Sequence, residues 1–239
     1  MPKLSIIIPV FNEENTVQEI LTNVNNVELY GGVTKEIILI NDASTDDTDA
    51  RINEFISSNP EFGIKYFKHE KNKGKGAALH TGLVHATGDF MIVQDADLEY
   101  DPNEINLLLK PVVEGKADVV YGSRFVGSSS HRVLFFWHFQ GNRLITFLSN
   151  MLTNLNLTDI ETCYKLFKTD IIKSLRLVEE RFGFEVEITA KISRIPHIRI
   201  YEVGISYYGR TYAEGKKISW KDGFKAMYCI LKYNIFSRK

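Results

Sequence analysis

The chain has 239 residues, enough for one large domain or two small ones, with 44% hydrophobic and 25% charged residues, as in ordinary globular proteins. A formal net charge of −1 removes any global argument for a nucleic-acid partner, and none is expected. The two cysteines, Cys163 and Cys229, stand in no Cys-x-x-Cys pattern and fit a reducing compartment; the scattered histidines give no zinc-ligand spacing. No uninterrupted apolar run reaches the ~18 residues of a spanning helix, and Met1-Pro2-Lys3-Leu4 runs straight into a strand-like stretch without a signal-peptide layout.

In chain order, Leu4 to Val10 reads as a buried strand, and Glu13 to Val27 as a helix with apolar positions at Val17, Ile20, Leu21 and Val24. Glu36 to Ile40 is a second strand, and Asp46 to Ile56 a helix with acids in its first turn, where the dipole favours them. A third strand at Ile64–Phe67, a helix from Lys75 to Ala86 stopped by Gly88, a fourth strand at Asp89–Val93 and a fifth at Asp118–Tyr121 continue the alternation. Strand–helix alternation with near-continuous apolar strands predicts an α/β fold, a Rossmann-like, mostly parallel central sheet with helices on both faces. Ligands of such sheets bind outside the carboxyl ends of the strands.

Beyond residue 121 the pattern loosens. Gly122-Ser123-Arg124 closes the fifth strand, and Gly127 to Ser130 reads as a loop of small residues. Trp137 to Leu155 is helix-like, with Leu144, Leu148, Met151 and Leu155 in one stripe joined by Trp137, Phe139 and Phe147; core packing is the default expectation, with contact to a membrane surface second. Leu166-Phe167 is strand-like, a helix starts at Phe184 and breaks at Pro196, and His197 to Val203 is a further strand. From Arg210 onward eight basic residues face two acids, and Trp220, Phe224, Met227, Leu231 and Ile235 recur at helical spacing. A basic amphipathic helix of this kind either lies on a membrane surface or docks on the domain with its charges outward.

The chemistry gathers at the strand ends. Asp95, Asp97 and Glu99 follow the fourth strand, and such an oxygen-rich cluster suits Mg²⁺ or Mn²⁺ holding a diphosphate. The first strand ends in Pro9-Val10-Phe11-Asn12-Glu13 and the second in Asn41-Asp42-Ala43-Ser44-Thr45-Asp46, so all three ends bring polar groups to one rim of a parallel sheet. Helix capping by Ser44 or Thr45 explains part of this, but does not require Glu13 and Asp42 as well. Lys73-Gly74-Lys75-Gly76 before a helix could let backbone approach a phosphate, although no Walker pattern is present; a flexible basic loop is the competing reading.

These five segments, with Asp95-Ala96-Asp97-Leu98 and Gly122-Ser123-Arg124 in order, resemble the family 2 glycosyltransferases, and within them the dolichyl-phosphate mannose synthase and polyprenyl-phosphate glycosyltransferase branch, from about Leu4 to about Lys217. The resemblance implies a GT-A domain over residues 1–217, with 218–239 as a basic amphipathic C-terminal helix. It implies that Pro9, Phe11, Glu13, Asp42, Lys75, Asp95, Arg210 and Lys216 bind the nucleotide sugar, with Asp42 facing the base and Lys217 alongside Lys216. Asp95, Asp97 and Glu99 would hold the metal, Glu99 standing where relatives often carry glutamine. Arg124 and Arg143 would meet an acceptor phosphate, and Asp97, Asp159 and Arg124 would be catalytic. Lys165 takes the place of a more familiar arginine, which changes the geometry of any bidentate contact.

The implied activity is inverting transfer of a hexose from GDP-mannose or a UDP-hexose to polyprenyl or dolichyl phosphate. A phosphate acceptor is already a nucleophile, whereas a saccharide hydroxyl, the alternative acceptor, needs a base, with Asp159 first in line. A non-catalytic nucleotide-sugar-binding module is the reading from another class. A sugar-nucleotide nucleotidyltransferase is disfavoured because no glycine-rich phosphate loop follows the first strand. The expected location is cytoplasmic and peripheral at the inner face of the membrane, where a membrane partner protein is a further expectation.

Overall fold

The computed structural model describes residues 1–127, 130, 132–133, 135–181, 183–211 and 220–236, the side chains of 220 and 221 apart. Strand β1 (Lys3–Val10) lies in the interior of a seven-stranded sheet because it is apolar on both faces: Leu4, Ile6, Ile7 and Ile8 are all fully buried. On one side it pairs in parallel with β2 (Thr34–Asn41), Ile7 opposite Ile38, and β2 pairs in parallel with β3 (Lys65–Lys68). On the other side β1 pairs in parallel with β4 (Phe90–Val93), Ile7 opposite Val93. Beyond lie β6 (Lys165–Lys168), β5 (Val119–Ser123) and β7 (Ile200–Gly204), giving the order β3-β2-β1-β4-β6-β5-β7.

The sheet is parallel except at β6, which runs antiparallel to both β4 and β5, with Leu166 opposite Ile92 and Val120. The connection explains the reversal. After β5 the chain stays at the carboxyl rim, where Ser123 Oγ lies 2.6 Å from Thr158 Oγ1, so it re-enters the sheet from that rim. The chain leaves β1 toward β2 on one side and finds β4 on the other, so the crevice between the ends of β1 and β4 is the switch point where such sheets bind ligands.

Helices α1 (Val17–Asn26), α2 (Thr48–Ser58) and α3 (Lys75–His85) follow the expected periodicity; α1 buries Val17, Ile20, Leu21 and Val24. Helix α4 (Ile105–Val113) was not legible beforehand. It buries Ile105, Leu108, Leu109 and Val112 despite Pro111 in its interior, showing apolar burial outweighing a ring that removes one helical N–H. Helices α6 (Thr169–Ser174) and α7 (Phe184–Ile192) complete the second half.

Helix α5 (Phe136–Thr153) divides the expected core stripe: Leu148 and, just past the helix, Leu155 pack against the core beside the buried Ile145, Thr146 and Ser149, whereas Trp137, Leu144, Phe147 and Met151 face solvent, Trp137 at 79% exposure. Helix α8 (Trp220–Leu231), with a π-helical extension at Lys232–Phe236, packs against α5 and α7 through Ala226, Cys229, Ile230 and Tyr233. Phe224, Tyr228, Leu231 and Ile235 are exposed along its other side. Among the described residues no helix is long and apolar enough to cross a membrane. The boundary expected at 217/218 lies outside the described residues.

Candidate active site

The three strand ends meet on one rim, and their polar residues first bind each other. Asn12 N–H donates to Ser44 Oγ (3.0 Å), Thr45 N–H to Asn12 Oδ1 (2.8 Å), and Glu13 N–H to Thr48 Oγ1 (2.8 Å). Ser44 and Thr45 thus stitch the two loops together, and Asp46 Oδ1 receives the first-turn N–H of Thr48 instead (3.1 Å). Each of the three ends carries a non-glycine residue at positive φ: Asn12 at 53°, Ala43 at 59° and Leu98 at 62°. For alanine and leucine this left-handed backbone costs about 1–2 kcal/mol, strain typical of functional loops. Nothing in the sequence marks those two positions.

Asp42 is buried, and its carboxylate is occupied by the following loop. It accepts from Lys73 N–H (3.0 Å) and Gly74 N–H (2.7 Å) and pairs with His69 Nδ1 at 2.7 Å. Its first task is therefore to shape residues 69–74. The glycines there do not present a phosphate cradle. Gly74 has φ +103°; a Cβ there would collide with Glu180 O and the Arg181 side chain, and one on Gly76 with the backbone of Glu179 and Glu180. The Ala77 N–H at the start of α3 donates to Glu180 O (3.0 Å), so one of the first-turn N–H groups is taken by protein. Lys75 escapes this packing and reaches Asp95 Oδ1 at 2.7 Å.

The acidic cluster is divided in use. Asp95 is paired with Lys75. Glu99, expected as a third metal ligand, instead accepts from Tyr207 Oη (2.7 Å) and Arg210 N–H (2.6 Å). Asp97 accepts one bond, from the Glu99 N–H (3.1 Å). Burial and the neighbouring Asp95 and Glu99 charges push its acid up to about 7. Among the described residues no three His, Cys, Asp or Glu side chains enclose a metal by themselves. The donor chemistry therefore fits a hard divalent cation bound at Asp97, with remaining oxygens supplied by a diphosphate and water, as suits Mg²⁺ in particular. Arg210 ties the rim together: its guanidinium reaches Glu13 Oε2 (3.1 Å) and Asp97 O (2.5 Å). Pro9 sits within β1 opposite Ile40, just before Phe11 at the same rim. Lys216 and Lys217 lie outside the described residues.

Across β6, at the end of β5, Arg124 forms a two-pronged ion pair with Asp159, Nε to Oδ2 at 2.7 Å and Nη2 to Oδ1 at 2.8 Å. Asn142 from α5 adds a third contact at 3.2 Å, and the Arg124 N–H a fourth, also at 3.2 Å. Asp159 is fully buried; against that burial, the Arg124 charge and these hydrogen bonds hold its acid below the ordinary range. In the free protein both oxygens of Asp159, expected as the base for a hydroxyl acceptor, are engaged by Arg124 and Asn142, which suits orienting the arginine. The Arg124 guanidinium lies over the Phe125 ring at 5.5 Å and the Tyr207 ring at 5.0 Å. Arg143 is exposed on α5, over Phe139 at 5.6 Å. Lys165 is buried and bonds Glu185 and Thr162 O rather than the rim. A hollow of about 550 Å³ lined by Thr87, Asp89, Lys168 and Lys173 opens at the opposite end of β4 and shares no residue with this site.

The acidic pair lies beside a switch-point crevice with a cation on either flank, Lys75 on Asp95 and Arg210 on Asp97 O. The chain matches the profile of Glycosyl transferase family 2 over residues 5–176 and belongs to that family. It is 34% identical over 124 residues to a dolichol-phosphate mannosyltransferase of Pyrococcus furiosus, covering 52% of this chain and 34% of the relative. It is 31% identical over 182 residues to a prophage bactoprenol glucosyl transferase homolog of Escherichia coli, covering 75% and 56%. A dodecaprenyl-phosphate galacturonate synthase of Rhizobium johnstonii is 24% identical over 214 residues, covering 90% and 61%. The chain thus spans less than two thirds of the length of each. The fold is also that of glucosyl-3-phosphoglycerate synthase of Mycobacterium tuberculosis, crystallised with Mn²⁺ and UDP-glucose, at TM-score 0.73 and 18% identity over 98% of this chain and 79% of that one.

Proposed function

We propose that this protein is an inverting glycosyltransferase that moves a hexose from a nucleotide-sugar donor, GDP-mannose or a UDP-hexose, to a polyprenyl or dolichyl phosphate. The observation that carries the acceptor class is the Arg124–Asp159 pair. Its carboxylate is spent on orienting the arginine, so this part of the rim is equipped to receive an anion and not to deprotonate a hydroxyl. The relatives named for polyprenyl-phosphate chemistry support the same choice.

In this reading Glu13, Phe11 and the loop pinned by Asp42 border the nucleoside, and Lys75 and Arg210 flank the diphosphate. Asp97, with oxygens of the diphosphate, would hold Mg²⁺ or Mn²⁺, whose charge offsets that developing on the leaving group. Arg124, with Arg143 nearby on α5, receives the acceptor phosphate and aims one of its oxygens at the anomeric carbon. That oxygen forms the new bond as the bond to the diphosphate breaks, so the anomeric centre inverts. The exposed apolar rows of α5 and α8, adjacent to that arginine side, fit a cytoplasmic enzyme resting on the inner membrane face while it meets a lipid-linked phosphate.

The test is a donor screen with Mg²⁺ or Mn²⁺, run with and without polyprenyl phosphate and with a saccharide acceptor in parallel. Transfer that needs polyprenyl phosphate supports the proposal. Transfer to the saccharide alone, or donor binding without turnover, contradicts it.

A further inference from the structure

Four buried side-chain polar atoms among the described residues have no hydrogen-bond partner, and two of them are neighbours on this rim: Glu161 Oε1 and Thr162 Oγ1. Leaving such an atom unsatisfied costs about 1–3 kcal/mol, and folded proteins keep few of them. Neither nearby cation donates a hydrogen bond to these two atoms: Lys165 bonds Glu185 and Thr162 O, and Arg124 points Nε and Nη2 at Asp159.

Position distinguishes this pair from the other two atoms, on Ser149 and Thr169. Glu161 stands two residues after Asp159, whose carboxylate holds Arg124 (Nε to Oδ2 at 2.7 Å). Cys163, two residues further on, brings its Sγ to 3.9 Å from Val93 O, at the end of β4 that leads into Asp95. Residues 159–163 therefore run from the arginine proposed for the acceptor to the strand end that carries the carboxylates proposed for the donor. A group passing between the two phosphates must travel beside them.

Resting on the nucleotide-sugar reading above, we infer that Glu161 holds the hexose of the donor, accepting hydrogen bonds from its ring hydroxyls, with Thr162 Oγ1 as a second polar contact. The carboxyl gains the partner it lacks in the free protein, and Thr162 gains an acceptor. Burial, only partly offset by Lys165, also pushes the Glu161 acid up to about 7. Near neutral pH it can therefore meet a hydroxyl as acceptor or as donor. Specificity follows: a site built around a hydroxyl discriminates strongly against a donor that lacks it.

The experiment compares binding of bare nucleotide with binding of nucleotide sugar. Calorimetry on the full chain with Mn²⁺ uses UDP, GDP, UDP-glucose, UDP-galactose and GDP-mannose, for wild type, Glu161→Gln and Thr162→Val, with donor hydrolysis followed alongside. Both variants should keep the wild-type affinity for the preferred bare nucleotide within about twofold. Glu161→Gln should lose about tenfold or more in affinity for the matching nucleotide sugar and flatten the preference between epimeric donors. Thr162→Val tests the same site in a smaller side chain. Equal weakening of nucleotide and nucleotide sugar in both variants would make the pair merely structural and overturn the inference. Intact binding of every donor with loss of transfer alone would make Glu161 a base, also overturning it and favouring a hydroxyl acceptor. If wild type binds no nucleotide at all, the donor reading itself fails; if donors bind but polyprenyl phosphate is not glycosylated, only the acceptor reading fails.

Discussion

Asp97 and Asp159 sit on the same rim and are treated in opposite ways. Asp97 accepts one backbone N–H and is repelled by Asp95 and Glu99. Asp159 is saturated by Arg124 and Asn142. Two expectations follow. Asp97→Asn should lower transfer by about a hundredfold or more while the melting temperature holds or rises, since a repelled charge is removed; initial rates and thermal melts check both halves. Asp159→Asn should act through Arg124 instead, raising the KM for the acceptor phosphate and lowering stability by about 3 kcal/mol, because a buried guanidinium loses its counter-charge. Steady-state kinetics over pH 5–8 decide this one: the loss of a catalytic base would remove a limb of the pH profile, whereas loss of a positioning partner leaves its shape intact. The clustering of the candidate residues was legible at this scale, because Glu13, Asp42, Asp95, Asp97, Arg124 and Arg210 stand at or just after strand ends of one rim. What sequence could not give was which carboxylates are already spent. Glu99 and Asp95 look like Asp97 on paper and differ only in the partners that Tyr207, Arg210 and Lys75 bring from elsewhere in the chain.

At the scale of elements, every strand was found in sequence with its ends within three residues, best for β1, because buried parallel strands are continuous apolar runs. The antiparallel entry of β6 was hidden, since direction depends on where the preceding helix leaves the chain. The end of the sheet remote from the site carries its own anchor. Glu36 accepts from Lys65 Nζ (2.8 Å), Ser5 Oγ (2.5 Å) and Thr87 N–H (2.6 Å), joining β1, β2, β3 and the turn before β4. Burial opposes this, but those bonds draw its acid down from 4.5 to about 2. A depressed carboxyl stabilises the fold above its unfolded value, and that contribution is lost as pH falls through the folded one. Glu36→Gln should therefore cost about 2 kcal/mol at pH 7, and the gap to wild type should close between pH 4.5 and 2 in denaturant titrations. A constant gap across that range would rule out the charge as its source. Farther along, Glu179 receives Lys232 Nζ (2.7 Å) and Tyr233 Oη (2.6 Å) while its neighbour Glu180 caps α3. Lys232→Met should thus raise amide exchange in residues 176–181 as well as in the C-terminal helix, read by mass spectrometry.

For the whole molecule, the informative surprise is on the surface. Helix α5 exposes Trp137, Leu144, Phe147 and Met151 although Leu148 beside them packs inward, and α8 next to it buries Ala226, Cys229 and Ile230 while exposing Phe224, Tyr228, Leu231 and Ile235. A period of 3.6 residues identifies an apolar face without saying what covers it, which is why the sequence could not separate core from surface here. Basic residues near an anionic leaflet contribute about 1 kcal/mol each and fade beyond a Debye length. Co-sedimentation should accordingly be strong on anionic vesicles at low salt and weak on neutral ones or at high salt. Replacing Phe147 and Phe224 by Ser should abolish it with little effect on melting, since both are exposed.

The central claim is metal-dependent hexose transfer to a lipid phosphate at the Asp97 and Arg124 rim. The most direct measurement follows a radiolabelled hexose from its nucleotide into a product extractable with organic solvent, using wild type, Asp97→Asn, and wild type with excess chelator. The account predicts label in the extract only when polyprenyl phosphate, divalent cation and Asp97 are all present. Full transfer in chelator, or unchanged transfer by Asp97→Asn, would contradict it.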